Sequence, residues 1–139
     1  MVIGTLADEL THGVGRVGDT IGGAFQPVIR LGVTGLSRAG KTVFITSLVA
    51  NLLDRGRMPG LTAAAEGRIG AAYLQPQPDD AVPRFDYEHH LAALTAAAPH
   101  WPEGMRAISQ LRLSLRVRPT GLLAGLSGPR IVHLDIVDY

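Results

Sequence analysis

The sequence predicts an α/β fold, and three observations carry that expectation. Val28-Ile29-Arg30-Leu31-Gly32-Val33 is an apolar run of strand length. Gly35-Leu36-Ser37-Arg38-Ala39-Gly40-Lys41-Thr42 follows it and matches G-x-x-x-x-G-K-[ST], a pattern that requires a strand before it and a helix after it. A second apolar run, Arg130 to Val137, leads into Asp138.

The octapeptide is the most specific of the three. At average residue frequencies it arises by chance in roughly one chain in a few hundred of this length, so an incidental glycine-rich turn is the weaker reading. Lys41 is the only lysine; every other cation among the thirteen Lys and Arg is arginine. A phosphate loop needs a compact ammonium on a flexible stem, and a planar guanidinium fork is too bulky there. Gly35 and Gly40 are expected to allow dihedrals and close approaches that a Cβ forbids. Backbone N–H groups of Ser37, Arg38, Ala39, Gly40, Lys41 and Thr42 would then form an anion nest at a positive helix end. The Thr42 hydroxyl suits Mg²⁺ that bridges β- and γ-phosphate oxygens.

The other elements follow in order. Residues 1–24 are expected to hold an amphipathic helix, with Ile3, Leu6, Leu10, Val14, Val17 and Ile21 at helical spacing, weakened by interspersed glycines. A flank-packing role is favoured over membrane-surface binding, because the polar face is not strongly basic. Gln26-Pro27 breaks that helix. Residues 25–139 then read as the N-terminal part of a phosphate-loop domain with an insertion at about 56–110. Val43 to Leu53 is a buried helix that Gly56 could stop. Arg68 to Leu74 reads as a short strand, and Gln75 to Pro83 as a proline-rich loop. Asp86 is a plausible N-cap for a helix through Leu91 and Leu94.

Leu111, Leu113, Leu115 and Val117 alternate with Arg112, Ser114, Arg116 and Arg118, which is the mark of a half-buried strand. It should pair antiparallel with 130–137, which is apolar enough to be buried on both faces. The arginine stripe is expected to guard an exposed edge strand.

Composition narrows the function. A chain of 139 residues, 46% of them hydrophobic, buries one core, and a net charge of +1 argues against general nucleic-acid binding. The absence of cysteine excludes disulfides, thiolate catalysis and Cys-ligated zinc. Asp8 and Glu9 precede any basic residue, so a secretory signal is not expected. No stretch approaches the ~18 apolar residues that span a bilayer. A soluble cytoplasmic protein is the expectation.

The ending Leu134-Asp135-Ile136-Val137-Asp138-Tyr139 looks like a Walker B strand, with Asp138 as a second Mg²⁺ ligand and Asp135 structural. Strand, phosphate loop, helix, insertion, hairpin and Asp together are similar to the Ras-like order. The fold expected is therefore a Ras-like P-loop NTPase sheet, truncated after the third core strand. "RLGVTGLSRAGKTVFITSLVANLL", "RFDYEHHLAALTAAAPHWPEG" and "HLDIVDY" resemble the YcjX-like family of bacterial P-loop NTPases, from about Leu6 to Tyr139. That resemblance implies a stress-associated, nucleotide-binding protein that continues with Pro-Gly-Glu-Trp, of which this chain would be an N-terminal fragment. It also implies a switch I Ser/Thr after Trp-Pro-Glu. Gly104-Met105 stand there instead, and Ser109 is a weak substitute. A fragment so cut should expose apolar surface and be poorly stable alone.

Binding and hydrolysis of GTP is the favoured function. ATP on the same loop, or an interaction module with a vestigial site, are the alternatives. Arg38 is a weak candidate for a built-in arginine finger. Trp101 is expected to anchor a loop on the core, with base stacking as the alternative. His89, His90 and His100 do not suggest a metal site, because adjacent helical histidines diverge by about 100°. Asp79-Asp80 reads as a solvated acidic loop.

Overall fold

Seven elements follow one another in a computed structural model that describes residues 26–54, 57–103, 107–122 and 124–139. The helix expected over 1–24, the Gly56 stop and Gly104-Met105 lie outside the described residues. The elements are β1 (Val28–Val33), α1 (Lys41–Leu53), α2 (Thr62–Ala65), β2 (Ile69–Gln75), α3 (Tyr87–Thr95), β3 (Ser109–Val117) and β4 (Arg130–Asp138). Among the described residues no helix is long and apolar enough to cross a membrane.

The strands form one mixed sheet in the order β1-β4-β3-β2. β1 runs parallel to β4, with Val33 beside Asp138. β3 is antiparallel to β4, with Ser109 beside Asp138, and β2 is antiparallel to β3. The sheet thus has four strands, because the segment near 68–74 joins it at the outer edge. α2, within the expected insertion, had no periodic signal in four residues.

Alternation along β3 decides which face holds the core. Leu111, Leu113 and Leu115 are buried against α1 through Ile45, Val49 and Leu52, with Phe85, Tyr87 and Ile136 alongside. Each such side chain contributes roughly 1.5–3 kcal/mol of transfer free energy on burial. All three helices add residues to these clusters, so they cover one face of the sheet.

The opposite face carries a polar network. Arg112 grips Asp135 through two hydrogen bonds of 2.6 and 2.7 Å. Ser114 Oγ and His133 Nδ1 lie 2.8 Å apart, and His133 Nε2 lies 2.6 Å from Gln26 Oε1. Two expectations are corrected here. β3 is central rather than an edge, so its arginines do not guard an edge; Arg112 neutralises a buried carboxylate instead. β4 is not buried on both faces: it lies between two strands, but only its C-terminal half is buried, since the helices cover one side. Apolar surface is exposed instead on β1, where Val28 and Ile29 are 46% and 56% accessible.

Candidate functional site

β1 ends at Val33, and the chain must turn before α1 can begin at Lys41. Gly40 makes that turn as the N-cap of α1, with φ 88° and ψ 13°, a left-handed conformation that costs glycine little. Arg38 is also left-handed at φ 65°. The turn is closed by Ala39 N–H donating to Leu36 O (3.0 Å) and Phe44 N–H donating to Gly40 O (2.9 Å). Gly35 differs from the expectation, since its φ is not positive. A Cβ there would meet Ala39 Cβ at 3.4 Å and the Lys41 stem at 3.7 Å, both ordinary contacts. Its backbone is what matters: Lys41 Nζ donates to Gly35 O at 3.1 Å, which holds the ammonium over the loop.

The two longer helices start differently. α3 is neutralised at its N-terminus by the Asp86 carboxylate, which accepts from His89 N–H, and by Glu88 in the first turn. α1 has neither a side-chain cap nor an acidic residue in its first turn. Its positive end, where the first N–H groups lack helical partners, therefore faces the cleft without a counter-charge from its own helix.

Asp138 ends β4 next to the last residue of β1. It is only 4% exposed, and its Oδ1 has no hydrogen-bond partner among the described residues. Burial pushes its carboxyl above the usual range, while the charges of Lys41 and His90 pull it back. Ser37 to Val43, Trp101 to Glu103 and Asp138 line one open cleft of about 1010 Å³. The structure thus brings Ser37, Arg38, Ala39, Gly40, Lys41 and Thr42 together with Asp138, while Gly35 stays behind the lining. A buried carboxylate oxygen without a partner, in one cleft with Thr42, is a hard-oxygen donor set that fits Mg²⁺.

The neighbouring candidates separate cleanly. Asp135 and Asp138 are three residues apart on a strand, so they point to opposite faces. Asp135, fully buried in its pair with Arg112, is structural. Ser109 is buried at the start of β3 and does not line the cleft. Asp79 accepts from Ala81 N–H at 2.9 Å and shapes its own turn. Among the described residues no group of three or more His, Cys, Asp or Glu could hold a metal.

Sequence reasoning went wrong on Trp101. It is 76% exposed and forms part of the cleft wall, because the segment before β3 reaches the phosphate-loop edge of the sheet instead of folding onto the core. His90 was missed as well. It is buried against Phe85, with ring centroids 5.0 Å apart, and neither ring nitrogen has a partner among the described residues. Its only signal was its position four residues beyond the Asp86 cap, on the inward face of α3.

The model of the YcjX-like family, DUF463, matches residues 29–139. The chain belongs to the YcjX-like family. Over 123 residues it is 45% identical to a Shewanella oneidensis protein named Ras-like GTPase YcjX. Over 115 residues it is 43% identical to an Escherichia coli protein of the same name. Each match covers 80% of this chain and 25% of the relative, so this YcjX-like chain spans about a quarter of their length. The matched span contains the whole loop, α1 and the β4 carboxylate, which are the parts that form the cleft.

Proposed function

We propose that this chain supplies the phosphate- and magnesium-binding part of a Ras-like, GTP-binding YcjX-like protein. One observation carries the reading: an uncapped helix start and the Lys41 ammonium share a cleft with the buried carboxylate of Asp138, whose Oδ1 has no partner among the described residues. The names of the two relatives favour GTP over ATP. The parallel β1–β4 pair places the phosphate loop and Asp138 at the same end of the sheet, the order expected of a Ras-like domain.

Backbone N–H groups of Ser37 to Thr42 cradle the α- and β-phosphates, and Lys41 leaves Gly35 O to bridge β and γ. Thr42 and Asp138 would hold Mg²⁺, which would supply screening of the phosphate charge. Asp138 serves only when ionised, which the Lys41 charge promotes against burial. Hydrolysis would proceed by in-line attack of water on the γ-phosphoryl group. Arg38 supplies the one guanidinium in the described cleft wall and would meet charge developing there. If Arg38→Ala hydrolyses GTP at the parent's rate, that role is rejected.

The deciding experiment titrates the protein with GTP and ATP, with and without Mg²⁺. Micromolar or tighter GTP binding is expected, with Lys41→Ala losing at least about tenfold because a charge-assisted contact is removed. Lys41→Arg should not restore it, since a guanidinium does not replace the ammonium. No binding of either nucleotide at millimolar concentration would sink the reading. Unchanged cellular function in Lys41→Ala would favour a vestigial site.

A further inference from the structure

Trp101 is the largest apolar side chain in the described structure, and three quarters of it faces solvent. Indole rings normally bury most of their surface and dominate packing energetics, and this one does not. Its surroundings give the ring a defined seat. On one side it closes a small groove of about 160 Å³ with Val43, Leu94, Pro99 and His100. On the other it forms part of the cleft that also holds Lys41 and Asp138. Pro99 and Pro102 flank it, each with φ fixed by its ring, so the segment loses less freedom when a ligand orders it.

The rest of the described cleft wall holds no other aromatic side chain, and its apolar members are Ala39, Val43 and Pro102. The loop side offers backbone, hydroxyl, ammonium and guanidinium groups, and Glu103 and Asp138 are carboxylates. Trp101 alone supplies a π-face. The cleft, at about 1010 Å³, sits at the upper end of the range for pockets that enclose whole small molecules, so it has room for more than a phosphate chain.

We propose that Trp101 is the base platform of this cleft, its indole stacking on the purine of the nucleoside triphosphate whose phosphates occupy the loop. The proposal rests on the phosphate reading above and adds the recognition of the base. Every purine has a π-face, so stacking raises affinity without selecting guanine from adenine.

The test compares Mg²⁺ complexes of GTP, ATP and inorganic tripolyphosphate by calorimetry on the protein carrying this chain. Parent, Trp101→Ala, Trp101→Phe and Lys41→Ala are measured side by side. Trp101→Ala should weaken GTP and ATP by roughly 5- to 150-fold, the loss of one base–aromatic stack. Tripolyphosphate should change by less than about twofold, because it brings no base. Trp101→Phe should recover most of the loss. An equal loss for tripolyphosphate would overturn the proposal and show that the ring shapes the loop. So would unchanged affinity for all three, which would make the exposed indole a protein-contact residue. Either result leaves Lys41→Ala still defective, so the phosphate reading survives. If the parent binds none of the three, both readings fall together.

Discussion

Gly40 is the position where a single methyl group should be felt most. Its φ of 88° is unfavourable to any side chain, yet a Cβ added there meets nothing within 4 Å. The penalty of Gly40→Ala is therefore purely conformational, about 1–2 kcal/mol. Urea denaturation should show that loss, and Gly35→Ala should lose less because its φ is not positive. Equal effects would mean that the turn relaxes around the new side chain. His90 gives a second prediction at this scale. Burial holds its imidazole below the ordinary range, helped by His89 and opposed by the carboxylates of Asp86 and Asp138. The unfolded chain therefore takes up the proton first as pH falls. Its contribution to stability is complete above the unfolded value of about 6.5 and is lost below it, by at most about 1.4 kcal/mol per pH unit. His90→Phe should flatten that part of the stability–pH curve, and it should hold or gain stability at pH 7 by removing two unpartnered nitrogens. An unchanged curve would show that His90 takes up its proton at the same pH in both states.

Elements were legible in the sequence to the extent that their cues are local. The strand, loop and helix from Val28 to Leu53 announce themselves by spacing alone, and Asp86 caps α3 as its position suggests. Neighbours across a sheet are set by contacts distant in sequence, so the Arg112 stripe could not reveal that β3 lies between β4 and β2. That placement has a measurable consequence. Arg112→Leu strands a fully buried carboxylate at Asp135 and should cost about 3 kcal/mol, near the low end for buried pairs because the guanidinium is partly exposed. Arg112→Leu combined with Asp135→Leu should recover most of that loss, since apolar replacement of both partners removes the stranded charge. Strictly additive losses in the double-mutant cycle would show that the two side chains act independently.

At the scale of the whole molecule, the site sits where three strands meet. Asp138 is the register partner of Val33 on β1 and of Ser109 on β3, and α1 begins where the loop from β1 ends. The loop chemistry was readable from eight consecutive residues. Asp138 was readable too, as the carboxylate that ends an apolar strand, but the arrival of Trp101 at that loop was not, because it depends on the path of the segment before β3. Ligand binding should therefore act most directly on β1, β3, β4 and the first turn of α1, and least on β2, which pairs only with β3 and shares its core cluster with the later part of α1 through Leu48, Leu52 and Leu53. Mg²⁺–GTP at about one hundred times its dissociation constant should add roughly 2.7 kcal/mol to stability, by mass action. Hydrogen exchange should slow in the first turn of α1 and at the site-proximal ends of β1, β3 and β4. The amides of β2 should keep their rates at concentrations where local opening dominates. Lys41→Ala should abolish both effects. Protection spread evenly through β2 would mean that nucleotide stabilises the fold only globally, and that the strand junction is not the coupling element.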